Sequence, residues 1–397
     1  MKPRLCVSSA HVCPVFCLLP VFLLLVSCAT RQPALEFYSE LALMPEGGTV
    51  IEGLTDIDRS GRKNGVAALD PIVKFWKRPG IDPAERLIEE VEGVVLVPVE
   101  EIMTRLLEER DLWTFSFYGT IQEAETRLEA GVPLLVMVQD NPMNVDSRRY
   151  MILFGFNRNA EKLVAMEGGP YPGVYTYQAF RRIWRPVRNW VKVACPPERI
   201  TWPIRTLEQI TLARYREKKG DWQIALRDYE KAGVLDPSNE EIMLARARIM
   251  YESGDTLGAI VQYRRVLDRS EFNATAANNL AYILLSNDGS LAESERLVRR
   301  ALTIEPSNPA YLDTLGLTLI RAGRPGEAAQ ILSRARHRAD SMPRKEQRKI
   351  THRLITAYVD SNQLHLARQT YLDQQRNDPE FMLPDDLARV LHPPPVE

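Results

Sequence analysis

SGRKNGVAALDPIVKFW, residues 60–76, is the stretch on which the reading of the N-terminal half turns. Small and basic residues run into an apolar segment that ends in Phe75 and Trp76, and Asn64 stands at the junction. A side chain at such a turn-to-helix step is either a cap or the place of a nucleophile. As a cap, the Asn64 carboxamide oxygen would accept a hydrogen bond from a free backbone N–H, worth about 1 kcal/mol. Asp70-Pro71 is a competing helix start, because proline is pre-set for a first turn. The helix begins or bends there, and the sequence leaves both open.

Outward from this stretch, VEEIMTRLLEERD (99–111) and TIQEAETRLEAG (120–131) carry apolar residues at helical spacing. LWTFSFYG (112–119), VPLLVMVQD (132–140), RRYMILFGFN (148–157) and KLVAMEGG (162–169) read as strands. The second and third are apolar enough to lie inside a sheet. YTYQAFRRIW (175–184) is again helical, and RNWVKVAC (188–195) closes as a strand. Helices followed by adjacent strands predict an α+β domain over residues 35–202. The proline-rich CPPERITWPIR (195–205) is the joint between the two halves of the chain.

Past that joint the grammar changes. GDWQIALRDYEKAGVLDPSN begins at Gly220, and GDTLGAIVQYRRVLDRSEFN begins at Gly254, 34 residues later. DGSLAESERLVRRALTIEPSNP begins at Asp288, AGRPGEAAQILSRARHRAD at Ala322, and SNQLHLARQTYLDQQRNDPE at Ser361 after a short insertion. Small residues recur where two helices must approach: Ala225, Ala232, Ala259, Ala301, Gly316, Ala328, Ala335 and Ala367. Leu280, Tyr282, Leu315, Leu332 and Tyr371 fill the gaps, while Pro237, Pro306 and Pro379 stop second helices. This period and pattern resemble tetratricopeptide repeats. The resemblance implies an all-α solenoid of about five repeats over residues 203–382, with a Pro-rich tail at 383–397. Ser294 departs from it by standing where alanine is expected. The resemblance also implies a partner-binding groove, whose candidate residues on first helices are Arg248, Tyr251, Asn279, Ile283, Asp313 and Leu317.

The N-terminal half resembles papain-like cysteine peptidases of the bacteriocin-processing, double-glycine-leader type, on three stretches. NGVAALDPIVKFW is similar to the nucleophile helix, AGVPLLVMV to the strand before the catalytic histidine, and RRYMILFGFNRNAEKLVAMEGG to the histidine strand and the turn after it. The resemblance implies a papain-like fold, and it breaks wherever chemistry should be. The nucleophilic cysteine corresponds to Asn64, and the general-base histidine to Arg149, or to Arg148 if the register slips by one. The orienting group falls near Glu167 and the oxyanion glutamine near Asp58. A carboxamide is no nucleophile at neutral pH, and a guanidinium with a pKa above about 12 cannot cycle protons. No cysteine or histidine occurs between Ala29 and Ala194, so no shift of register restores a Cys-His pair. The expectation is a pseudopeptidase: not an enzyme, with no cofactor and no metal. The alternative is a hydrolase with a rebuilt, non-Cys/His site.

The first residues address the chain. Lys2 and Arg4 precede an apolar run broken by Pro20, the layout of a secretory signal. Leu25-Val26-Ser27-Cys28 resembles a bacterial lipobox. That resemblance implies a signal peptide at 1–27, acylation of Cys28 and a lipidated linker at 28–34. It also implies a membrane anchor, with Ala29 favouring the outer membrane facing the periplasm. Of the five cysteines only Cys195 would remain as a free thiol, so the fold would rest on its core alone. A formal net charge of −1 with 26% charged residues gives no basic field for nucleic acid. The function expected is a protein- or peptide-binding scaffold in the cell envelope.

Overall fold

A computed structural model describes residues 48–54, 64–82, 98–168, 172–287 and 289–391. The expected signal peptide, Cys28, the linker and Asp58 lie outside the described residues. The chain divides into two compact units, residues 1–204 and 205–397.

The first unit is built on an antiparallel sheet. Its strands are β1 (Gly48–Val50), β2 (Trp113–Tyr118), β3 (Leu134–Gln139), β4 (Arg148–Asn157), β5 (Lys162–Met166), β6 (Gly173–Thr176) and β7 (Trp190–Cys195). They lie in the order β2-β7-β3-β4-β5-β6. β4 is long enough to serve two partners on one edge, pairing with β3 over Arg148–Leu153 and with β1 over Gly155–Asn157. Gly155 permits that handover: a Cβ there would lie 3.1 Å from the Thr49 carbonyl, beside the register shift against β5.

Helices cover both faces, which is why β3 and β4 read as continuous apolar runs. On one face lie α1 (Asp70–Phe75) and α2 (Val99–Glu109), and Ile72, Met103 and Leu107 pack on Leu135, Ile152 and Ala194. α3 (Ile121–Glu129) packs against β3 and β4, and α4 (Tyr177–Trp184) against β3, β5 and β6. α3 opens with a capping box in which Thr120 and Glu123 satisfy each other's backbone N–H groups. The architecture is an α+β unit holding an antiparallel sheet. β1 and β6 were not legible in the sequence, being only three and four residues long.

The second unit is helical among its described residues. Five pairs follow one another: α5 (Thr206–Lys218) with α6 (Trp222–Leu235), α7 (Glu240–Glu252) with α8 (Thr256–Arg269), α9 (Ala274–Ser286) with α10 (Leu291–Ile304), α11 (Pro309–Arg321) with α12 (Pro325–Arg336), and α13 (Arg344–Asp360) with α14 (Leu364–Asn377). The turn inside most pairs needs a left-handed residue, supplied by Gly220, Gly254 and Gly323 at φ +81°, +92° and +69° and by Asn362 at +59°. Asn239, Asn273 and Asn308 cap the first helices of three pairs, each accepting from a backbone N–H. Ala225, Ala232, Ala259, Ala301, Ala328, Ala335 and Ala367 are all wholly buried, which lets the helix backbones approach. Ser294 is also wholly buried and accommodates its hydroxyl by donating to the Ala281 carbonyl at 3.0 Å.

The expected tail needs correcting. Residues 385–391 form a further helix, α15 (Asp385–Leu391), whose Leu387 and Leu391 pack with Phe381 on Ile355 and Ala367. The proline run that suggested a tail begins only at Pro393. No helix of the described residues is long and apolar enough to cross a membrane.

Candidate functional site

At the first-unit junction, Asn64 is a cap. Its Oδ1 accepts from the Ala67 N–H at 2.8 Å, and its carbonyl accepts from the Ala68 N–H at 3.0 Å. A short 3-10 turn, Ala67–Leu69, then passes into α1 at Asp70. Both sequence signals therefore act, one after the other. Asp70 does not cap α1; its Oδ1 accepts from the Ile81 N–H at 2.9 Å and its Oδ2 pairs with Lys74 at 2.7 Å.

The structure does not bring Asn64 and Arg149 together. Side chains alternate along a strand, and Tyr150, Ile152 and Met166 face the helix that Asn64 starts. A Cβ on Gly65 would lie 2.8 Å from the Tyr150 ring. Tyr150 thus occupies the facing position, and Arg149 points to the opposite face. The correspondence of Arg149 with a base aimed at residue 64 fails on this geometry, because one residue of register reverses every side chain. Arg148 shares Tyr150's face but is exposed, where its Nε donates to Gln139 Oε1 at 3.3 Å.

Arg149 and Glu167 are brought together, with Nη1 3.1 Å from Oε2. The same guanidinium grips Asp140 in two places, at 2.8 and 3.1 Å. Burial opposes its charge, but Asp140, and after it Tyr175, outweigh burial and raise its pKa. Tyr175 donates to Glu167 Oε1 at 2.5 Å. Burial first, and then this carboxylate, push the Tyr175 phenol up to about 12. The cluster sets one guanidinium and one phenol against two carboxylates, and it ties the ends of β3 and β5 to β4 and β6.

Two titratable groups of β7 are buried, and the first of them escaped sequence reasoning. Lys192 is 1% exposed, and its Nζ donates to Thr104 Oγ1 at 3.0 Å and Ser116 Oγ at 3.1 Å. Burial lowers its pKa to about 8, while Glu100 and Glu108 on α2 oppose that fall. The only cue in the sequence was a lysine inside RNWVKVAC, which reads equally as an edge-strand charge. Cys195 is wholly buried, and burial pushes its thiol well above the ordinary range, so it is a packing group and no thiolate.

In the second unit the candidate groove residues divide. Arg248 ion-pairs with Glu217 on the preceding first helix, one contact being 2.8 Å. The Tyr251 and Tyr282 rings meet edge to face at 6.5 Å across α7 and α9. Asn279 donates to the Tyr263 hydroxyl at 3.2 Å. Asp313 pairs with Arg353 between α11 and α13, and burial still raises its pKa despite that partner. Leu317 is partly open. Ile283 requires a correction: it is 2% exposed within the core formed by Leu280, Leu284 and Leu297, and lines no open surface. The reason is its place on α9, nine of whose thirteen residues are buried, so its inward arc is wider than on the other first helices.

A polar cavity of about 690 Å³ lies beside the insertion, where Arg336, His337, Arg344 and Arg376 stand among Asp340, Asp373 and Asp378. Asp378 is taken by Arg348, with two contacts of 2.6 Å.

Comparison with known proteins bears on the second unit. A tetratricopeptide-repeat family model matches residues 244–309. The second unit carries tetratricopeptide repeats. The matched residues run from α7 to the start of α11, and the flanking pairs repeat the same turns and buried alanines. The chain is 28% identical over 125 residues to the Arabidopsis thaliana "Protein CTR9 homolog", covering 31% of this chain and 11% of that protein. The chain thus spans about a tenth of the length of the curated relative it matches. Among solved structures, a thermophilic TPR protein of Thermus thermophilus aligns at a TM-score of 0.38 and 18% identity, over 47% of this chain and 96% of that one. Pseudomonas aeruginosa pilF aligns at 0.37 and 20%, over 42% and 73%.

Proposed function

We propose that this protein is an envelope lipoprotein that works as a protein- or peptide-binding scaffold. In this reading its tetratricopeptide repeats hold a partner segment, and its N-terminal unit is a peptidase-like domain that has lost catalysis. The observation that carries the reading is the stack of five helix pairs. Its consecutive first helices are fixed to one another by Arg248–Glu217, Tyr251–Tyr282 and Asp313–Arg353. Such cross-links hold a helix face rigid, so a partner laid on it meets a pre-organised surface and less binding energy goes to ordering it. The lost catalysis is supported by Asn64 acting as a cap and by the only cysteine of residues 29–397 being buried.

A photo-crosslinking amino acid placed at Leu317, on a first helix, should capture a discrete envelope partner. The same group at Val234, 80% exposed on a second helix, should not. Equal capture at both positions, or none at Leu317, refutes the scaffold reading. The anchor is checked separately: palmitate incorporation should vanish in Cys28→Ala.

A further inference from the structure

We propose that the α4 end of the N-terminal unit docks on an anionic phospholipid surface. Its arginines would take lipid phosphates while an apolar loop tip enters the interface. A cavity of about 820 Å³ lies there, lined by Thr176 and Gln178, by Arg181, Arg182 and Arg185, and by Pro142 from the β3–β4 loop. The lining contains three cations and no carboxylate. That sets it apart from the repeat-unit cavity, whose arginines stand among three aspartates. Arg182 and Arg185 are exposed, and no described residue pairs with either. Guanidinium groups with nothing to neutralise them are matched by phosphate, which they bind through two N–H groups at once.

The neighbouring loop supplies the second half of the argument. Met143 follows Pro142 and is 92% exposed, and Val145 is 61% exposed. This exposure is built in, because the loop is tied from within. Asn141 Oδ1 accepts from the Met143 N–H at 3.0 Å, and Ser147 Oγ donates to the Asn144 carbonyl at 2.6 Å. Gln139 Nε2 donates to the Asn141 and Asn144 carbonyls at 3.0 and 3.1 Å. The acids of this loop are Asp140, which Arg149 holds, and Asp146, and neither lines the cavity. On the turn after α4, Arg188 stacks on Tyr118, which is 58% exposed, with 4.6 Å between guanidinium and ring centroid.

A protruding apolar tip contiguous with a cationic cup suits a bilayer interface, where apolar groups go below the phosphate level and arginines stay at it. A folded acidic partner would instead have to offer a socket for Met143 beside its carboxylates.

The inference does not rest on acylation of Cys28, and its test removes that lipid. Residues 29–397, which contain every described residue, are floated with vesicles of phosphatidylglycerol and phosphatidylcholine, and with phosphatidylcholine alone. Binding is expected only to the anionic vesicles. Each arginine near an anionic surface is worth about fivefold in partitioning, so R182A/R185A should lose more than tenfold. Met143→Ser should also lose severalfold. R227A/R265A, two exposed arginines on the repeat helices, makes the same charge change and should lose little. Thermal melts of these exposed-site variants should match the parent, keeping the comparison interpretable. No binding to phosphatidylglycerol vesicles overturns the proposal. Equal loss in the control pair also overturns it. So does full competition by inorganic phosphate, which marks a soluble phosphate site, or by polyglutamate with no dependence on Met143, which marks an acidic protein site.

Discussion

Replacing Lys192 with methionine should change how the stability of the first unit depends on pH. The lysine is 1% exposed beneath α2, where two hydroxyls accept from its ammonium. Burial lowers its pKa from 10.5 in the free side chain to about 8. Between those values the folded chain has released the proton while the unfolded chain still binds it. Stability then rises with pH, because the unfolded state binds more protons. One pH unit is worth about 1.4 kcal/mol, so the window between pH 8 and 10.5 gives about 3 kcal/mol as a ceiling. Below pH 8 the wild type bears the whole cost of the buried charge. There Lys192→Met, which matches its length and lacks the charge, should be at least as stable. The advantage should shrink across the window as wild-type Lys192 becomes neutral. Denaturant unfolding followed by tryptophan fluorescence reports this unit, since Trp76, Trp113, Trp184, Trp190 and Trp202 lie in it and only Trp222 in the other. The quantity to plot is the variant-minus-wild-type difference against pH, which cancels the other lysines and tyrosines. A difference that stays flat from pH 7 to pH 10.5 would refute the reasoning.

Four further outcomes follow from a cap and from packing. Asn64→Ala should cost about 1 kcal/mol in denaturant unfolding through loss of the cap, and Asn64→Ser should restore most of it. Ile283→Ala should cost about 2–4 kcal/mol as a core truncation, whereas Leu317→Ala should cost under about 1 kcal/mol; a reversed order would return Ile283 to the surface. Gly316→Ala should destabilise the repeats by about 1–2 kcal/mol, because the new Cβ would lie 2.5 Å from Leu332 Cδ2 on a wholly buried side chain. Gly233→Ala meets nothing closer than 3.6 Å and should stabilise by about 0.5 kcal/mol, as read from melting temperatures.

The sequence by itself determined the repeats. Their signals are local and recur: an alanine where two backbones meet, a glycine where φ must be positive, an asparagine at each of several helix starts. Each needs only neighbours within one helix pair, so a linear reading captures it. It also determined the major strands, since β3 and β4 are buried on both faces and leave unbroken apolar runs. The absence of cysteine and histidine from residues 30–193 is likewise a fact of sequence. Tertiary structure alone decided which face each β4 residue takes. A strand has period two, and Arg148, Arg149 and Tyr150 look alike to any pattern that does not know where the sheet is covered. It decided that Ile283 is core, in the cluster that holds Leu280, Leu284 and Leu297. It decided that Lys192 is buried and that Arg181 and Arg182 of α4, with Arg185 just beyond it, share a cavity with a loop some forty residues earlier, about the distance from Pro142 to Arg181. Burial and electrostatic environment are sums over groups distant in the chain, and only folding brings those groups within reach of one another.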